Sequence, residues 1–351
     1  MPVCAAPEEQ ERLVDESLSR RLGRFAGGLT YSDLPPAVID KAKACLLHAL
    51  AAGLAGSTTP GGQAAIKLAK EEEGREGGAT ILVDGSRATR MGAAFANSQL
   101  MRIPEQWDTY RMLTHPGLTI VPAALATAEV ESSSGKDLLV AMVAGYETLV
   151  RLAGDFIPST QARGFRSSAA YGVFGAATAT GRLLGLGEDQ MVAALALAAT
   201  FAAGTLEGQR MRTGEMAYHE PSAARNGILA ALLARAGTTG AETALEGEAG
   251  FYFAFTGSNK GELPYVFTGP NRTDLSRIVE GLGQRYEMLN ICFKIYPTAG
   301  FNIPIVALMA FLKKAHDIRP EQVERIALEM NWLETLMPSP VFPAPALSEP
   351  T

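Results

Sequence analysis

The stretch Gly172–Leu186, GVFGAATATGRLLGL, decides how this chain is read. Apart from Arg182 it carries no charge, and alanine, glycine, leucine and threonine leave it no polar face. A helix this apolar on most sides must be buried on most sides, so it belongs at the centre of a bundle. Small residues such as Ala176, Ala177, Ala179 and Gly181 let neighbouring backbones come close. Segments of the same character flank it, and the spacing predicts helices over Leu118–Val130, Lys136–Leu152, Ser168–Leu184, Asp189–Ala203 and Ser222–Ala236. The alanine repetition has no fixed period, so no repeat architecture is expected.

Upstream, Tyr31-Ser-Asp-Leu-Pro-Pro36 opens a helix with Ser32 or Asp33 as its cap and proline in the first turn, ending at Gly56. ATILVDG, residues 79–85, carries a short β signal with Asp84-Gly85 as its turn, and a further helix begins near Met91. The character changes near residue 260. GSNKGELPYVFTG (257–269) is polar and proline-bearing, ICFKIYPTAG (291–300) follows, and a helix is expected over Asn302–His316. VERIALEM, Val323–Met330, alternates as a half-buried strand does. We therefore expect an all-helical domain over 1–260 and the beginning of a smaller α+β domain over 261–351. With one strand that second domain is unfinished, which leads us to expect a shortened chain ending in the proline-rich PSPVFPAPALSEPT (338–351).

Composition excludes several classes. With 351 residues, 47% hydrophobic and 19% charged, the chain is long enough for a large core and reads as a soluble globular protein. A net charge of -6 with both signs scattered leaves no basic face for a nucleic-acid backbone. The segment MPVCAAPEEQERLVDESLSRRLGRF (1–25) lacks a secretory apolar core, and no run is long enough for a membrane span. A cytoplasmic location is the default expectation. Cys4, Cys45 and Cys292 are too widely spaced for a metal clip or disulfide framework, and Cys45 and Cys292 read as buried small hydrophobes.

Five stretches in order resemble the MmgE/PrpD family: YSDLPPAVIDKAKACLLHALAAGLAG (31–56), AAFANSQLMRIPEQWDT (93–109), HPGLTIVPAALATAEVESSSGKDLLVAMVAGYE (115–147), GVFGAATATGRLLGL (172–186) and FKIYPTAG (293–300). The family's members are dehydratases, decarboxylases and epimerases of small organic acids. The resemblance implies a large helical domain with a smaller α+β lid, a homodimer, and a cleft between the domains that works without metal or organic cofactor. Its members continue well past residue 351. The first reaction it suggests is a dehydratase-like lyase step. An epimerase, isomerase or decarboxylase acting on a more apolar acid is the alternative, and a non-catalytic helical scaffold is a third.

Such chemistry needs a proton carrier and cationic groups that stabilise charge beside a carboxylate. In EQWDTYRMLTHPG (105–117), Asp108, Thr109 and His115 match the family pattern, and Glu105 stands for an aspartate. The resemblance makes His115 or His219 the proton carrier with Asp108 as its carboxylate partner, and Glu105 and Thr109 substrate contacts. His219, in EMAYHEPSAARNG, aligns with a second family histidine, although Met216 replaces the lysine three residues before it. Lys294 in FKIYP matches a family lysine, with Tyr296 beside it, and between apolar residues it reads as a desolvated cationic clamp rather than a surface lysine on a half-buried strand. Arg166 stands where histidine is common, so an acid-base position has become a fixed carboxylate clamp. Arg210 and Arg212 in GQRMRTGE are further candidate clamps. The histidine and aspartate expected just after Lys294 are replaced by FNIPIVALM (301–309). His48 and His316 are set aside as packed and helix-terminal.

Overall fold

A computed structural model describes residues 17–329, except 112, 212, 267 and 268 and the side chain of Arg210. The fold is mainly α, with two small two-stranded sheets among the described residues. The helices are α1 (Leu18–Gly28), α2 (Pro36–Gly56), α3 (Pro60–Glu73), α4 (Arg90–Arg102), α5 (Gly117–Val130), α6 (Gly135–Ala153), α7 (Ile157–Ala162), α8 (Ser167–Leu183), α9 (Glu188–Phe201), α10 (Glu207–Met211), α11 (His219–Arg235), α12 (Phe251–Thr256) and α13 (Ile303–His316).

The apolar stretch that opened the reading is α8, and it lies at the centre, packed on α5, α6, α9 and α11. Residues Ser167–Gly181 are all buried. Glycine makes the crossings possible at two points. A Cβ on Gly227 of α11 would lie 2.5 Å from Ala176 Cβ and 2.7 Å from the Ala177 nitrogen. One on Gly145 of α6 would lie 2.7 Å from the Gly175 carbonyl oxygen. These approaches let small residues close the core where larger ones would hold the helices apart.

Local rules explain most element ends. Ser17, Thr59, Thr89 and Ser134 cap α1, α3, α4 and α6 by accepting a backbone N–H from the first turn. The expected cap of α2 is corrected. Tyr31–Asp33 is a separate 3₁₀ turn, in which the Asp33 carboxylate accepts the Thr30 N–H at 2.8 Å, and α2 starts at Pro36 without a side-chain cap. The hairpin forms one step earlier than the β signal: β1 (Gly74–Thr80) pairs antiparallel with β2 (Arg87–Ala88), and Ile81 to Ser86 make the turn.

The chain after residue 260 does not leave the helical body at once. Ile278, Val279, Tyr286, Met288 and Ile291 join its main core. Arg151 of α6 holds this segment by donating to the carbonyls of Ile278, Glu280 and Arg285, while Glu147 accepts the Met288 N–H at 2.8 Å. The segment is thereby delivered to β4 (Cys292–Phe293), which pairs with β3 (Asp108–Thr109). Cys45 is buried as expected, whereas Cys292 is exposed because β4 is an edge strand. Helix α13 forms as predicted, but none of its residues is buried. The strand expected over Val323–Met330 is absent from its described part: 323–329 is exposed and irregular. Alternation alone makes no strand without a neighbour to take its backbone groups. Met330 and the 338–351 tail lie outside the described residues. No described helix is long and apolar enough to cross a membrane.

Candidate active site

Trp107 is the centre of the site, and the backbone around it is tightly held. Helix α4 ends at Arg102, and the chain turns back with Glu105 in the left-handed region at φ 55°, its N–H donating to the Arg102 carbonyl at 3.2 Å. The Trp107 indole N–H donates to that same carbonyl at 2.5 Å. The Lys294 N–H donates to the Trp107 carbonyl at 3.1 Å, just beyond the β3–β4 pairing. A non-glycine residue at positive φ is a strained position, and here it lies within the site loop.

Three cations surround the Trp107 ring: Lys294 Nζ 4.1 Å from its centroid, and the Arg102 and Arg166 guanidinium carbons at 5.4 and 5.6 Å. All three are buried. One buried carboxylate, Glu220 at the start of α11, ties two of them, accepting from Arg166 Nε at 2.7 Å and Arg102 Nε at 3.1 Å. Burial pushes the Glu220 carboxyl up, but Arg166 and Arg102 outweigh it and hold the group far below the usual carboxylate range. Even so, Arg102 Nη1 and Nη2 and Arg166 Nη2 are buried without a hydrogen-bond partner. Orphaned guanidinium donors beside an excess of positive charge are groups whose hydrogen bonds a carboxylate is able to complete.

His115 completes the cluster, with its ring 4.5 Å from that of Trp107, edge to face. Its N–H donates to Ser168 Oγ at 3.1 Å, so the first turn of α8 positions the histidine loop. Nδ1 lies 3.0 Å from the Asp108 carbonyl oxygen and 3.1 Å from Thr109 Oγ1. A carbonyl only accepts, so Nδ1 carries the proton and Nε2 presents a lone pair. Burial first, and then the Lys294 and Arg166 cations, hold the imidazole well below its usual range. Lys294 is pushed down to about 8 by burial, with Arg166 and Arg102 adding to the shift and Glu105 opposing it.

The expected pairing of His115 with the Asp108 carboxylate is corrected. That carboxylate turns away, accepting the Gly117 N–H at 2.9 Å and the Tyr146 hydroxyl at 2.6 Å, because the open N-terminus of α5 competes for it. Asp108 touches His115 through its backbone alone. Thr109 contacts His115, and Glu105 is half-buried at the rim. Arg166, expected as a clamp, is in the cluster, with Nε donating to Glu220 and Nη1 to Met216 Sδ at 3.8 Å. Tyr296 is half-buried, and no side-chain contact joins it to the group. His219 lies apart, lining a cavity of about 370 Å³ with Phe201, Gly204, Glu215, Tyr218 and Asn226. Its Nδ1 is buried and unpartnered, and burial, aided by Arg166 and Arg102 against Glu220, lowers its pKa. The Arg210 side chain and Arg212 lie outside the described residues.

Arg102, Trp107 and Glu220 were not anticipated. The available signal was a charge at the end of one apolar helix, Arg102, and an opposite charge at the start of another, Glu220. Among the described residues no three His, Cys, Asp or Glu side chains converge as metal ligands would.

Fold and site together define a mainly helical protein with a buried, cation-rich cluster beside a neutral histidine. The MmgE/PrpD N-terminal domain profile matches residues 20–263, and the chain belongs to this family. It is similar to the cis-aconitate decarboxylase-like protein oryM of Aspergillus oryzae, at 30% identity over 81% of this chain and 59% of the relative. It is also similar to the cis-aconitate decarboxylase of Aspergillus terreus, at 30% over 79% and 56%, and to that of Homo sapiens, at 28% over 72% and 53%. The chain thus spans somewhat over half the length of these curated relatives.

Proposed function

We propose that this protein is a lyase acting on a small anionic organic acid, and that the bond it breaks joins carbon to a carboxylate. The observation that carries this reading is the set of orphaned guanidinium donors on Arg102 and Arg166 beside the Trp107 ring. Those donors would hold a substrate carboxylate, while the net positive charge would stabilise the enolate-like centre left when CO2 departs. His115 and Lys294 remain as the groups able to carry a proton. A decarboxylation asks for one proton returned to carbon. The dehydration first expected asks for a base and a separate acid for the leaving hydroxyl, so it would engage both His115 and Lys294, since Arg166 and the turned-away Asp108 carboxylate offer neither. That relatives are named cis-aconitate decarboxylases supports the same choice.

Epimerisation is the second reading, favoured by the placement of His115 and Lys294 against one ring, where two proton carriers could serve one carbon. The same convergence speaks against a non-catalytic scaffold. A homodimer and a cytoplasmic location remain part of the proposal, carried by the family resemblance and the N-terminal composition.

The test is to incubate the full chain in heavy water with a panel of di-, tri- and oxo-carboxylic acids, following CO2 release and deuterium incorporation by NMR. CO2 release with one deuterium in the product, lost in His115→Ala, is expected. Deuterium incorporation without CO2 would move the reading to epimerisation, and neither signal from any acid would overturn it.

A further inference from the structure

The groups that would hold a substrate are closed to solvent. Arg102, Arg166, Lys294 and His115 are each no more than 7% exposed, and the unpartnered guanidinium nitrogens of Arg102 and Arg166 are buried with them. What the four share is the Trp107 ring. Lys294 Nζ lies 4.1 Å from its centroid, the His115 ring 4.5 Å, and the Arg102 and Arg166 guanidinium carbons 5.4 and 5.6 Å. Glu220 pairs with the two arginines, and Glu105 at the rim adds a further negative charge that acts on Lys294. An aromatic ring attracts cations through its quadrupole, but less than a carboxylate that also accepts their hydrogen bonds. The indole is therefore a weak stand-in for negative charge at the place an acid has to reach.

The Trp107 side chain is also lightly tied. Its one polar group, the indole N–H, donates to the Arg102 carbonyl, and that carbonyl keeps the Glu105 N–H at 3.2 Å if the indole leaves. The backbone is fixed separately, through the Lys294 N–H at 3.1 Å and the β3–β4 pairing that starts at Asp108. Between α4 and Trp107 the chain is irregular, and Pro104, Glu105 and Gln106 are half-buried, so the sequence next to the ring is a rim of loop rather than packed helix. We propose that Trp107 is a displaceable gate: its indole holds the substrate's place among Arg102, Arg166 and Lys294 and swings out when an anionic acid enters. The inference rests on the reading of Arg102 and Arg166 as holders of a substrate carboxylate, and adds how the site is reached. In the exchange the cations trade a ring for a carboxylate, the unpartnered guanidinium nitrogens gain acceptors, and the indole N–H passes to water. A neutral molecule offers the arginines no such gain and leaves the gate shut. Selection for anions then happens at entry, before any bond to carbon breaks.

Trp107 and Trp332 are the two tryptophans of the chain, so Trp332→Phe makes Trp107 the sole reporter. In the full chain carrying that change, fumarate, malonate and citrate are titrated with binding followed by calorimetry, and Trp107 emission and acrylamide quenching are read alongside. Binding is expected to red-shift the emission and raise the quenching constant several-fold, while malonamide, the neutral counterpart of malonate, changes neither. Trp107→Ala removes the gate. Benzoate, whose ring refills the space while its carboxylate meets the arginines, is expected to bind that variant about tenfold more tightly than wild type, and adding Arg166→Gln abolishes the gain. Acid binding that leaves Trp107 emission and quenching as they were, or benzoate binding no tighter to Trp107→Ala, overturns the gate and leaves the lyase reading standing. Displacement by an acid with no CO2 or deuterium signal from the whole panel would sink the lyase reading while the gate stands. No binding of any acid, to the wild-type site or the opened one, would overturn both.

Discussion

Replacing Glu220 by glutamine removes one charge and almost no volume from the centre of the site. In the wild type the carboxylate is fully buried and accepts two charge-assisted bonds, 2.7 Å from Arg166 and 3.1 Å from Arg102, from cations that are themselves buried. Glutamine accepts at one oxygen and presents an NH2 at the other position, where it faces an arginine donor. One guanidinium therefore loses its only acceptor in the cluster, and the positive excess grows. Breaking a buried ion pair by removing one partner costs about 3–5 kcal/mol, and nothing in this geometry offers the freed arginine a substitute. Urea denaturation followed by far-UV circular dichroism should show that loss as a lower midpoint with little change in slope. A Glu220→Gln protein within about 1 kcal/mol of wild type, the bound of an exposed pair, would refute the reasoning, since it would mean the arginines are not held as buried cations. Glu220→Leu separates charge from hydrogen bonding and should be at least as damaging.

Gly227→Ala drives a methyl into Ala176 at 2.5 Å and should cost about 1–3 kcal/mol by the same denaturation assay. His115 is held neutral, with a folded pKa below the unfolded value of 6.5, so below that pH the unfolded chain binds a proton the folded one does not. Stability from this group rises with pH up to about 6.5 and is flat above, with a limiting slope of about 1.4 kcal/mol per pH unit. Urea midpoints for His115→Gln against wild type from acid to neutral pH should show the difference in slope, and parallel curves would contradict the neutral imidazole. Trp107→Phe keeps a ring but loses the N–H donated to the Arg102 carbonyl and part of the cation–π attraction, and should cost about 1–3 kcal/mol.

The helical body was readable because burial on all sides leaves a plain mark. Most of Gly172–Leu186 lies in the central helix α8, and the predicted ends of α5, α6 and α13 fall within a residue of the observed ones. What failed was whatever depends on a partner distant in sequence. VERIALEM alternates like a strand yet has no neighbour to pair with. The Asp108 carboxylate looked like a companion for His115, but its side chain is claimed by the N-terminus of α5 and by Tyr146, thirty-eight residues away in sequence. His115, Thr109, Arg166 and Lys294, which the structure brings together, were singled out through motif order, whereas Arg102 and Glu220 as helix-end charges gave no motif to follow. Only the packing of α4 against α11 shows that they meet inside the protein, 118 residues apart in sequence.

That meeting also bears on why the fold keeps so costly an arrangement. Three buried cations share one buried carboxylate, and an unsatisfied buried donor costs about 1–3 kcal/mol. A well-packed apolar cluster at this place would be more stable. The cost falls when a second carboxylate enters, because it supplies acceptors to the arginine nitrogens that lack them and offsets the excess charge. A ligand at one hundred times its dissociation constant stabilises the folded state by about 2.7 kcal/mol, which is the scale of one orphaned guanidinium. Binding and stability are therefore coupled through the same atoms, and an acid that cannot reach both Arg102 and Arg166 recovers only part of the deficit. On the proposed function, a preference for anionic acids would follow from the unpartnered guanidinium donors as much as from other contacts. Arginine does not release its proton at neutral pH, so the two guanidinium groups hold charge without joining proton traffic, which on the proposed function falls to His115 and Lys294.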